Sequence, residues 1–157
     1  GEVSRRWEKI KAQEALHQKD ADKSVMDKVS KSMPTLARTQ DIIRRVAKVG
    51  FDWGESAPVF DKAQEEFAEF RAEMEKATPE NANTDRLEDE FGDIMFCLVN
   101  VARHSGFNAD VALRRANAKF EKRFREVERL AREQGKALPE FGLEGLQQLW
   151  KQAKQKT

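Results

Sequence analysis

Two segments of the chain set apolar residues at helical spacing and carry the same acid pattern beside them. On 58–74, Phe60, Ala63, Phe67, Phe70 and Met74 fall on one side of a helix that turns about 100° per residue. On 85–104, Leu87, Phe91, Ile94, Leu98 and Val101 do the same. Both contain the order acid, apolar, small, acid, apolar: Glu66-Phe67-Ala68-Glu69-Phe70 and Glu90-Phe91-Gly92-Asp93-Ile94. Stripes of this kind must be covered by other helices, so the chain is expected to be an all-α helical bundle. Composition agrees. Only 4 Pro and 8 Gly in 157 residues, with abundant Ala, Glu, Lys and Arg, favour helices over a sandwich or barrel.

The remaining segments fit around this pair. Residues 2–19 read as a charged helix whose sparse apolar points, Trp7, Ile10 and Leu16, must pack on something or fray. Residues 20–33 are polar and irregular, so 1–33 is expected to be an arm and linker ahead of a domain over 34–157. Pro34 opens a helix that Gly50 stops, and Pro58 restarts one after the aromatic loop Phe51-Asp52-Trp53-Gly54. Residues 78–84 and 105–108 are breaks. A long helix is expected over about 109–134, ended by Gly135, and a last one over about 143–154. Phe51 and Trp53 read as a hydrophobic plug for their turn, His104 as a helix-end residue, and Cys97 as a small core residue. The nearly all-apolar run 94–101 argues for burial on every side, and hence for a partner subunit.

If the two striped helices pack through their stripes, Glu66, Glu69, Glu90 and Asp93 can converge at one seam. Four carboxylates in one place repel one another, so they protonate or recruit cations. All-oxygen ligands suit Mg²⁺ or Mn²⁺. Glu65 and Glu73 add further acids. A di-iron carboxylate bundle needs Glu-x-x-His on two helices, and here both second positions are acids. On the long basic helix, Lys119 and Arg123 stand at i and i+4 beside an apolar stripe of Ala116, Phe120, Phe124 and Val127. Acids with metal on one side and an Arg/Lys pair on the other suit a polyphosphate. No Gly-x-x-x-x-Gly-Lys-[Ser/Thr] occurs, so the chain is not a P-loop NTPase. Asn100 follows Asp93 on the same face, and reads either as a contact to phosphate or metal-bound water or as the filler of a polar gap.

The formal net charge of +1 steers the chain toward neither nucleic acid nor membrane, which counts against reading the Arg-rich helix as a nucleic-acid binder. One cysteine excludes an internal disulfide framework and a Cys-rich zinc site. No apolar run reaches the roughly 18 residues of a membrane span, and no leader pattern is seen, so a cytoplasmic protein is expected. Gly1 in place of Met, ahead of an immediate helical pattern, reads as a tag remnant on a piece of a longer protein.

Glu65-Glu66-x-x-Glu69, Glu90-x-x-Asp93 and Lys119-x-x-x-Arg123 together resemble the MazG family of all-α nucleoside triphosphate pyrophosphohydrolases. The likeness runs through Val49-Gly50-Phe51-Asp52-Trp53, Asn100-Val101-Ala102-Arg103-His104 and 119–128, and is to the C-terminal half of a two-domain bacterial MazG. It implies a helical bundle with a core shared across a homodimer, and an N-terminal MazG-like domain outside this chain. It implies Mg²⁺-dependent cleavage of nucleoside triphosphates, with broad base use, to the monophosphate and pyrophosphate. By the same likeness Glu66, Glu69, Glu90 and Asp93 are the metal ligands. For the chemistry, a free carboxylate, Glu65 or Glu69, is expected to take the proton of the attacking water. The likeness further implies that Lys119 and Arg123 hold phosphates, that Lys62, Glu65 and Arg86 line the nucleotide site, and that Trp150 flanks the base. Without the likeness, Trp150 reads as a core residue at a helix seam. The alternative is a catalytically silent half of a larger protein that binds nucleotide or dimerises, against which the presence of all four acids counts.

Overall fold

A computed structural model describes residues 2–21 and 23–157 of the chain. Asp22, in the expected linker, lies outside the described residues. Six α-helices follow one another: α1 Glu2–Ala21, α2 Thr35–Lys48, α3 Ser56–Lys76, α4 Thr84–His104, α5 Ala109–Glu133 and α6 Gly142–Lys156. Short 3-10 turns at Val25–Lys28 and Leu138–Phe141 interrupt the connections. Among the described residues no strand forms, and the one bridge pair, Thr78 with Asn81, closes the α3–α4 turn. The chain is all-α.

Helix ends follow local chemistry. After α2, Gly50 takes φ +95°, its N–H bonds the Ala47 carbonyl, and the Phe51 N–H bonds that of Val46. This double closure satisfies carbonyls the helix leaves open, and it needs a left-handed residue at that point. The same pair of bonds closes α4 at Gly106–Phe107 and α5 at Gly135–Lys136. In the expected linker, Ser24 caps the Val25–Lys28 turn reciprocally with Asp27, and Val29 behind it is buried.

The chain forms two compact units, 1–109 and 110–157. In the first, α3 and α4 make the main packing and α2 lies against α4. Gln40 of α2 ties down the α4–α5 turn, donating to the Phe107 carbonyl at 3.0 Å and accepting from the Ala109 N–H at 2.7 Å. The apolar points of α1, Trp7, Ile10 and Leu16, stay exposed. The second unit has its own cluster, Val127, Leu130 and Ala131 of α5 on Leu149 and Ala153 of α6.

One expectation is corrected. Phe60 and Phe67 of the α3 stripe remain 56% and 51% exposed, and Met74, Phe91 and Leu98 are also exposed. The buried line of α3 is instead Val59, Ala63, Glu66, half-buried Phe70 and Glu73. Its spacing alternates four and three, the repeat of a close helix seam. The acids lie in the seam itself, and the large aromatics flank it. The run 94–101 is likewise covered on one side only, with Phe96 exposed beside buried Ile94 and Val99.

Candidate active site

Helices α3 and α4 bring Glu66, Glu69 and Glu90 together, each offering a carboxylate oxygen within 4.8 Å of the others. The i, i+3 spacing in α3 turns Glu66 and Glu69 toward one neighbour, and α4 returns with Glu90. Asp93, the fourth expected ligand, is exposed and stands outside that trio. It still shares a cavity wall with Glu66, and its charge acts on Glu90.

The electrostatics of the trio suit a cation. Burial pushes the Glu90 carboxyl above its ordinary value, and the charges of Glu69, Glu66 and Asp93 add to the rise against the opposing effect of Arg86. Glu90 Oε2 is buried without a hydrogen-bond partner. Such an oxygen has lost its water and gained nothing, a debt that a metal ion at the trio would cancel. The donor set is all oxygen, which fits a hard divalent ion. The residues present therefore fit a metal.

The other expected residues of this unit divide. The Lys62 ammonium reaches Glu66 Oε1 at 3.0 Å and Glu65 Oε2 at 3.5 Å, and the Glu66 contact holds its pKa above the ordinary value. Glu65 is exposed. Arg86 is engaged with Glu73, Nη2 to Oε1 at 3.2 Å, one turn before Glu90. Asn100 is buried, and its Oδ1 accepts from Arg103 Nε at 3.1 Å.

A cavity of about 300 Å³ adjoins the acids, lined among others by Trp53, Lys62, Glu66, Asp93, Phe96 and Asn100. Trp53 therefore borders the site, where the sequence suggested a plug, and Phe51 stays exposed. Cys97 is half-buried on the cavity wall, and burial pushes its thiol upward. Sequence reasoning missed Asp52 and Arg103. Asp52 Oδ1 takes Arg103 Nη2 at 2.6 Å and His104 Nε2 at 2.9 Å, and Arg103 holds the Asp52 carboxyl below its ordinary value. The only sequence signal was an acid between two aromatics in a short loop.

In the second unit, Lys119 is exposed on α5 and Arg123 is half-buried one turn on. Arg123 Nε is a buried nitrogen without a partner, and together with Glu90 Oε2 it completes the set of such atoms among the described residues. Both belong to residues singled out from sequence. Trp150 is half-buried and tilts against Phe120 with ring centroids 5.1 Å apart, which is the helix-seam placement.

Paired helices with a carboxylate trio across their seam define an all-α domain built around an acidic, metal-suited site. Residues 59–128 match the MazG nucleotide pyrophosphohydrolase domain, a stretch that holds both acid motifs, Lys119 and Arg123. Over that stretch the chain is similar to the MazG family, and its curated relatives carry the same likeness. It is 44% identical over 153 residues to the nucleoside triphosphate pyrophosphohydrolase of Escherichia coli, covering 98% of this chain and 56% of that protein. It is 34% identical over 150 residues to the nucleoside triphosphate pyrophosphohydrolase/pyrophosphatase MazG of Thermotoga maritima, covering 96% of this chain and 54% of that one. The chain thus spans about half the length of these curated relatives. No helix among the described residues is long and apolar enough to cross a membrane.

Proposed function

We propose that this chain is a Mg²⁺-dependent nucleoside triphosphate pyrophosphohydrolase, turning an NTP or dNTP and water into the NMP or dNMP and pyrophosphate across a range of bases. The observation that carries the reading is the Glu66–Glu69–Glu90 trio with its unpartnered buried oxygen. Mg²⁺, with Mn²⁺ as a substitute, would be held by these three and Asp93. Bound there, the ion supplies Lewis acidity that acidifies a water and offsets phosphate charge.

The chain's own residues do the rest. The oxygen of water bonds to the α-phosphorus, the bond from that phosphorus to the bridging oxygen breaks, and pyrophosphate leaves with the electron pair. The water's proton passes to a carboxylate. Glu65 suits this better than Glu69, because it stands outside the ligand trio and is not needed to hold the ion. Lys119 and Arg123 carry the phosphate charge, a role supported by the unpartnered Arg123 Nε. Lys62, Arg86 and Asn100 serve the nucleotide side, and Trp150 flanks the base.

The exposed aromatic flank of α3 and α4 supports a homodimer, and the greater length of the relatives supports a further domain outside this chain, which by the same reading is an N-terminal MazG-like one. The cytoplasm, where nucleotide pools lie, is the compartment this reading implies. The test is a panel of NTPs and dNTPs with Mg²⁺ or EDTA, following both products. Monophosphate plus pyrophosphate, lost in EDTA, is expected. Diphosphate plus orthophosphate would refute the bond assignment, and a folded protein with no turnover would point to a silent binding half.

A further inference from the structure

The cavity next to the trio has the volume of a small-ligand site, about 300 Å³. Along α4 it runs from Asp93 to Asn100, seven residues or about 10.5 Å of helix. That is the span from an α-phosphate held at the acids, across the sugar, to the outer edge of a base. Trp53 and Phe96 give the cavity apolar faces that suit a flat ring.

Asn100 is the polar group at the far end, and its amide cannot turn freely. It is only 7% exposed, and Arg103 Nε donates to its Oδ1 at 3.1 Å. A guanidinium has donors only, so a flipped amide would set N–H against N–H. Arg103 is itself fixed by Asp52, at 2.6 Å, next in sequence to Trp53. The lock leaves the Nδ2 protons as what Asn100 has to offer a ligand.

Resting on the function proposed above, we infer that this cavity receives the nucleobase and that Asn100 is its specificity residue. Asn100 donates to an exocyclic carbonyl oxygen on the outer edge of the base, with Arg103 and Asp52 as positioning residues. A base with an amino group at that place meets a buried donor with another donor. Keto bases are then preferred within a broad range, by about tenfold in kcat/KM for one such bond.

Two substrate pairs isolate that position, UTP against CTP and ITP against ATP. The experiment measures kcat/KM for all four by pyrophosphate release, and Kd for the α,β-imido analogues of UTP and CTP by calorimetry. Wild type is expected to favour the keto member of each pair about tenfold. Asn100→Asp keeps one oxygen for Arg103 and puts a second where the amide protons stood, so the preference reverses. Arg103→Met lets the amide flip, and the ratio falls toward one. Turnover with equal ratios in wild type, or with ratios that neither substitution moves, overturns this inference and leaves the proposed function standing. Keto-selective binding without pyrophosphate release does the opposite. No binding of either analogue overturns both.

Discussion

Glu73 offers a quantitative test of how the α3–α4 hairpin is held. Its side chain is 8% exposed; Oε1 lies 3.2 Å from Arg86 Nη2 and 3.5 Å from Lys76 Nζ, and Oε2 accepts from Asn83 Nδ2 at 3.2 Å. Arg86 and Lys76 are themselves 63% and 72% exposed, so solvent screens those pairs to a few tenths of a kcal/mol each. The bond from Asn83 is less screened, and it fixes a residue that caps α4 in the left-handed region at φ +47°. Glu73→Ala should cost about 2 kcal/mol, most of it in that bond and the packing of the buried stem, and Glu73→Gln about half as much. For a chain of this size that is about 4–8 °C in Tm for the alanine variant. Asn83→Gly keeps the backbone conformation at that position and removes the partner. A double-mutant cycle with Glu73→Ala should then return a coupling of about 1 kcal/mol. Glu73 is one turn from Glu69 and Arg86 one turn from Glu90, so the same variants should need more Mg²⁺ for half-maximal turnover. A calorimetric Tm for Glu73→Ala within a degree of wild type, or a cycle without coupling, would refute the reasoning.

Glu69→Gln and Glu90→Gln should each lower kcat at least a hundredfold and abolish the rise in Tm that Mg²⁺ gives wild type; a variant with wild-type turnover would remove that residue from the metal site. In the second unit, Arg129 holds Glu126 down to about 2. A carboxyl lowered in the folded state adds stability that is present above its unfolded value near 4.5 and is lost as pH falls toward 2. Acid titrations of wild type and Glu126→Gln should therefore converge over that window, and parallel curves would show the pair to be idle. The proposed dimer should be seen in wild type by sedimentation velocity and should give way to monomer in Phe60→Ser with Phe67→Ser, on the exposed flank of α3; a wild-type monomer, or a dimer that the substitutions leave unmoved, would refute the flank as the subunit contact.

Much of this architecture was legible because it rests on local rules. Gly50, Gly106 and Gly135 stop helices in the structure where the sequence breaks its periodicity, each through the same left-handed closure. The acid trio was legible because acids three apart on one helix must point the same way, and the pattern occurs twice. The cavity wall was not legible. Asp52 meets Arg103, and Trp53 shares the cavity wall with Phe96 and Asn100, across some forty to fifty residues, and neither periodicity nor propensity carries information on such pairings. Nor was the partner of Arg86, since Glu73 read only as one more acid on a charged helix.

The face of α3 that turns inward was misread for an instructive reason. A stripe is normally placed toward the core because apolar burial is the largest favourable term. Here two of the five seam positions are Glu66 and Glu73, and the aromatics stand to the side. Among the described residues every buried hydrophobic is Val, Ile, Leu or Ala; none of the ten Phe and three Trp is buried. Carboxylates in the seam cost stability that wider aromatic burial would have supplied, which is the pattern expected where chemistry overrides packing. The aromatic flank is then left for something outside the chain, and a second subunit covering it would restore the burial that the acidic seam gives up.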